Sequence, residues 1–207
     1  MKLYTLFVFL MTFSYISCAQ QDKINVGGDC EICDAVYESP IPFEKLPSTD
    51  TLPDFNDEGL RLKVAGIVFK QDRTPAADVV LYIYHTDQAG VYPRKGDEMG
   101  YAKQHGYLRG WIKTDKQGRY TFYTLRPASY PNSSAPAHIH AVVKEPDKNP
   151  YWIDDYFFDD DPFVTTRIRD QLQRRGGNGI LTLQKLSDNY YAAERDIILG
   201  ENIPDYP

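Results

Sequence analysis

From Leu62 onward the chain is a series of short β-branched and aromatic runs, each closed by turn residues, the pattern of an all-β sandwich or barrel. The runs predict strands over 62–70, 78–86, 107–115, 119–126, 137–145, 151–158 and 179–186, with 190–199 a candidate eighth. Gly-bearing turns at "TDKQGRY" and "RRGGNG" separate neighbouring strands. Seven or eight strands make two packed sheets, so the expected fold is all-β, a two-sheet β-sandwich. Residues 162–175 instead set Phe163, Val164, Ile168 and Leu172 near a 3.6-residue period and predict one short helix. Before Gly59 neither period is sustained and prolines recur, which predicts an extended N-terminal arm.

The start of the chain reads differently. Lys2 precedes the apolar run "LYTLFVFLMTF", and small residues come after it, the arrangement of a secretory signal over 1–17. "SYISC" resembles a bacterial lipobox with Tyr15 where Leu is usual, so Cys18 is the expected lipidation site; cleavage after Ala19 is the competing reading. The expected organisation is a signal at 1–17, a lipid-anchored arm at 18–60 and the sandwich at 61–207, in an exported protein that meets the membrane through its lipid alone. Loss of 1–17 removes one cation and moves the formal charge from −6 to −7, which disfavours nucleic acid as a partner. In an oxidising compartment the "CEIC" pair, Cys30 and Cys33, reads as a small disulfide loop.

The candidate chemistry begins at "SAPAHIHAVV" (134–143). On a strand His138 and His140 share one face, while Ala137, Ile139, Ala141 and Val143 share the other. The apolar face fits a core, and two neutral imidazoles side by side can begin a metal site. Tyrosine is abundant, 16 residues, and two lie just outside strands: Tyr92 after the strand ending near His85, and Tyr130 eight residues before His138.

The ordered series "AGIVF", "PAADVVLYIYHTDQAGVY", "LRGWIKTDKQGRYTFYTLRPASYP" and "PAHIH" resembles the intradiol ring-cleavage dioxygenases over about Leu62 to Pro162. That resemblance implies one ferric ion, Fe(III), held by Tyr92, Tyr130, His138 and His140. It implies an aromatic diol and O2 as substrates, a muconate-type diacid as product, and Tyr130 as the catalytic phenolate that leaves the metal and serves as temporary base. Hard anionic phenolates suit the ferric state, whereas zinc prefers nitrogen and sulfur donors, so a zinc hydrolase built on the His pair is the weaker alternative.

Three departures qualify the match. The family's arginine three residues before the first ligand histidine is Ala135, which suggests as alternative a non-catalytic sandwich that binds catechols or iron chelates. Asp154 aligns where the family often carries a substrate-side Gln, and an acid there would disfavour an anionic substrate. Tyr84 replaces a usual Trp and reads as neutral packing. Elsewhere His85 and His105 are assigned no iron role, Tyr107 is the one rival to Tyr92, Arg109 either braces the sandwich or touches substrate, and the acidic run Asp154, Asp155 and Asp159 to Asp161 reads as a solvated turn.

Overall fold

A computed structural model describes residues 24–207. The expected signal segment and the Cys18 lipidation site lie outside the described residues.

Among the described residues twelve strands form two mixed sheets. The first contains β1 (Thr49–Thr51), β2 (Arg61–Phe69), β5 (Arg119–Leu125), β10 (Gln184–Ser187), β11 (Tyr190–Glu194) and β12 (Ile197–Ile198). Its order is β1-β5-β2-β11-β10, with β12 also on β2. The second contains β3 (Val80–His85), β4 (Arg109–Lys113), β6 (His138–Lys144), β7 (Tyr151–Trp152), β8 (Tyr156–Phe158) and β9 (Ile180–Leu181), ordered β4-β3-β6-β8-β9 with β7 on β6. Leu62, Val64 and Phe122 from one sheet meet Leu81, Ile83 and Ile139 from the other, all fully buried, and their burial away from water drives the sheets together. Gly66 is required in β2: a Cβ there would lie 1.8 Å from the Arg195 carbonyl, so a side chain would push the C-terminal segment off the sheet.

Strand β3 is buried on both faces. Leu81 and Ile83 point into the inter-sheet core, while Val80, Tyr82 and Tyr84 pack on the outer face with Trp111, Val142 and the arm residues Cys33, Ala35 and Val36. The structure joins Cys30 to Cys33 in a disulfide. The arm then runs as a 3-10 turn over Cys33–Glu38, where the Trp111 indole N–H donates to the Val36 carbonyl at 2.8 Å. Glu38 accepts from the Arg109 guanidinium at 2.6 Å and from the Tyr101 backbone N–H at 2.7 Å, so Arg109 is a brace.

Several elements differ from the sequence expectation. The expected 151–158 strand breaks into β7 and β8, and Ile153 to Asp155 between them leave the ladder. The expected 179–186 and 190–199 strands likewise divide. The helix shortens to α2, Thr166–Gln171, because Asp161 draws the Phe163 and Val164 N–H groups into a turn and the Thr165 hydroxyl caps the remaining segment. A second short helix, α1 (Ala102–His105), and strand β1 in the arm carry no periodic signal.

Candidate metal centre

Strand β6 divides its residues as its alternation dictates: Ala137, Ile139, Ala141 and Val143 are at most 4% exposed on the core side, and His138 and His140 turn to the outer face of the second sheet. Tyr84 sits directly opposite His140 on β3, and their rings stack at 4.4 Å between centroids. His105 stacks on the other side of Tyr84 at 3.8 Å, and its Nδ1 meets the Tyr82 hydroxyl at 2.7 Å. Tyr84 is therefore one layer of a stack that fixes the His140 ring plane, a larger role than neutral packing.

Tyr92 and Tyr130 arrive on the loops after β3 and β5. These loops are fastened to each other: the Thr86 hydroxyl donates to the Ala128 carbonyl at 2.7 Å, and the Ala128 N–H donates to the Asp87 carbonyl at 3.1 Å. Gly90, at φ +75°, lets the first loop cross the second, since a Cβ there would lie 2.0 Å from the Ser129 carbonyl. Beneath the clamp His85 is buried, with Nδ1 at 2.7 Å from the Thr86 carbonyl and Nε2 at 2.7 Å from the Thr124 hydroxyl. The same hydroxyl lies 3.1 Å from the Asp54 carboxyl.

Four donor atoms converge at the loop ends. The Tyr92 and Tyr130 hydroxyl oxygens are 2.5 Å apart, and Tyr92 is 2.8 Å from His140 Nε2. Tyr130 is 3.3 Å from both His138 Nε2 and His140 Nε2, and the two Nε2 atoms are 3.1 Å apart. Ligands about 2 Å from one ion at angles between 90° and tetrahedral stand about 2.8–3.3 Å from one another, so most of these spacings are edges of a coordination polyhedron.

The proton inventory makes the same point. His138 Nδ1 faces the Pro136 carbonyl at 2.7 Å, which can only accept, so it carries the proton. His140 Nδ1 faces the Asp155 carboxylate at 3.1 Å and carries its own proton for the same reason. In the neutral form of each ring the two Nε2 atoms are therefore lone pairs 3.1 Å apart, an arrangement that a cation relieves. Burial lifts both phenols above the ordinary tyrosine range, and burial, then the neighbouring His140, lowers His138. Kept neutral by burial, His138 is ready to ligate, and a bound cation would displace the two phenol protons. The donor set fits a hard trivalent ion such as Fe(III).

Asp155 was not legible from the sequence; of the acidic run, Asp159 and Asp160 do form an exposed turn, but Asp154 and Asp161 are buried and Asp155 is half-buried. His140 holds the Asp155 carboxyl below the usual range against the opposing effect of burial, while Asp154 is 5% exposed and accepts from the Arg174 backbone N–H at 2.7 Å. The acid beside the centre is Asp155, one residue from the position expected. Tyr107 is occupied elsewhere, under the Lys95 ammonium at 4.6 Å, and Tyr120 is core.

A family model described as "Dioxygenase" matches residues 37–195, well over half of the chain. The chain belongs to the intradiol ring-cleavage dioxygenase family. Among curated members, catechol 1,2-dioxygenase 2 of Acinetobacter lwoffii is 27% identical over 151 residues, 58% of this chain and 54% of that protein. The protocatechuate 3,4-dioxygenase beta chain of Burkholderia cepacia is 32% identical over 88 residues, 40% of this chain and 37% of its own length. This intradiol chain therefore spans about half the length, or less, of the curated relatives it matches. Among solved structures, the dioxygenase domain of a dioxygenase and carbohydrate-binding fusion from Streptomyces sp. SirexAA-E shares the fold with a TM-score of 0.56 at 22% identity, covering 78% of this chain and 95% of that one. The 3-chlorocatechol 1,2-dioxygenase of Rhodococcus opacus 1CP superposes with a TM-score of 0.57 at 22% identity, covering 72% and 63%.

Proposed function

We propose that Tyr92, Tyr130, His138 and His140 hold one ferric ion, and that the chain opens the ring of a catechol with O2 to give a muconate-type diacid. The observation that carries this reading is the pair of opposed Nε2 lone pairs, each fixed by an accepting partner on Nδ1, closed by two phenols at coordination spacing. When bound, the ferric ion would draw electron density from a chelated catecholate and open its ring carbons to O2.

The chain's own groups have separable tasks. Asp155 and the Pro136 carbonyl hold the imidazole tautomers. Tyr92 packs beside Tyr84 and His140, a fixed position. Tyr130 leads into residues 131–134, which are exposed, so its oxygen is the phenolate placed to accept a proton from an incoming diol. We further propose that the protein is exported and anchored through Cys18; the Cys30–Cys33 disulfide supports an oxidising compartment.

The test is dioxygen uptake by the iron-loaded protein with catechol, alongside the visible absorption of phenolate bound to ferric iron. A coloured protein that consumes O2 and forms a muconate-type product is the expected result. Colour and catechol binding without O2 uptake would favour the binding-module reading, for which Ala135 is the supporting observation, and a colourless loaded protein would reject the ligand set.

A further inference from the structure

The charges around the centre are largely of one sign. Asp155 is the partly exposed acid at its edge, side chain 26% exposed, with one oxygen 3.1 Å from His140 and the other 4.0 Å from His138. Asp161 is buried one strand away and accepts from the Ala137 N–H at 2.9 Å, immediately before His138. Asp154 turns away to the Arg174 backbone, and the buried Arg195, which donates to the Asp154 carbonyl at 2.7 Å, supplies one compensating cation from the core side.

Two of the cations near in sequence are engaged elsewhere. Arg126 grips Asp160 through two contacts of 2.8 Å. Arg109 holds Glu38. Arg94, two residues beyond Tyr92, is exposed to solvent. Ala135 occupies the position where the resemblance places an arginine. A ferric ion with two phenolates and a catecholate dianion has no net positive charge, so the loaded centre would offer a distant carboxylate no attraction.

We infer that this centre selects catechols by the charge of their side chain, taking those that carry an alkylammonium group in preference to those that carry a carboxylate. The inference rests on the catechol reading and names its substrate class. A unit charge about 8–10 Å from a partly exposed carboxylate near a protein surface changes affinity by up to about tenfold, in opposite directions for the two signs.

Three ligands of nearly equal shape test it: dopamine, 4-propylcatechol and 3-(3,4-dihydroxyphenyl)propanoate, cationic, neutral and anionic. Dissociation constants are read without O2 from the shift each causes in the visible band of the iron-loaded protein. The expected order is cation, neutral, anion, with a spread of about tenfold or more at low salt that shrinks as ionic strength approaches about 1 M. Ala135→Arg, at a half-exposed position that tolerates a long side chain, should narrow or reverse the spread. Should that variant not fold, the salt dependence of the unmodified protein decides alone. Equal or tighter binding of the anion overturns the inference while leaving the catechol reading in place. A band that no catechol shifts overturns both.

Discussion

Two residues concentrate the chemistry of the centre, and they are separable by substitution. Tyr130→Phe and Tyr92→Phe each remove one phenolate, so each should weaken and shift the visible band of the loaded protein, and a variant that kept the full band would strike that residue from the ligand set. Asp155→Asn retains an acceptor for the His140 N–H but loses the charge behind it. Partners of this kind are worth about 10–100-fold in metal affinity, so a competition titration with a ferric chelator should show roughly tenfold weaker binding for Asp155→Asn. That Tyr92, Tyr130, His138 and His140 converge was legible from the ordered motifs that carry them. Asp155 was not, because its place beside His140 is made by three residues leaving the ladder between β7 and β8, a bend with no periodic signature.

At the scale of elements, the loop clamp has a pH signature. His85 and His105 are buried, and burial lowers each to about 4, against 6.5 in an unfolded chain. Between these values the unfolded state binds more protons, so each histidine contributes stability that rises with pH across the window and is lost on acidification. Asp54 has the opposite sign: burial lifts it to about 6 from 3.8, the folded state binds more protons there, and its contribution is full below about pH 3.8 and lost as pH rises towards 6. Asp54→Asn should therefore gain stability with pH more steeply than the unmodified protein between pH 4 and 6, by up to about 1.4 kcal/mol per pH unit, measured by denaturant unfolding across that range. The long strands were readable because the apolar side of each faces a core, as in β2 and β6. Strand β1 was not, since "TDT" has no apolar face and is recruited by the free edge of β5. The helix over 162–175 shrank because local carboxylate and hydroxyl bonds outweighed its weak periodicity.

At the scale of the molecule, the arm behaves as part of the core, and its disulfide holds the start of the 3-10 turn that carries Val36 to Trp111. A four-residue loop closed by a disulfide constrains the unfolded chain by about 2 kcal/mol in the chain-entropy view. Replacing both Cys30 and Cys33 with Ala should lower the unfolding midpoint by about 4–8 °C, with Trp111 fluorescence reporting the arm first. The pairing of β11 and β12 with β2 reaches further still. Residues 190–194 lie parallel to 61–65, and Ile197 and Ile198 pair with Val68 and Phe69, so one flank of β2 is completed by the end of the chain. A nascent chain leaving the ribosome therefore holds an open edge on β2 until residues 190–198 emerge. Until then its unpaired β2 flank is open to the wrong strand, so misassembly is concentrated in the interval before that late segment arrives.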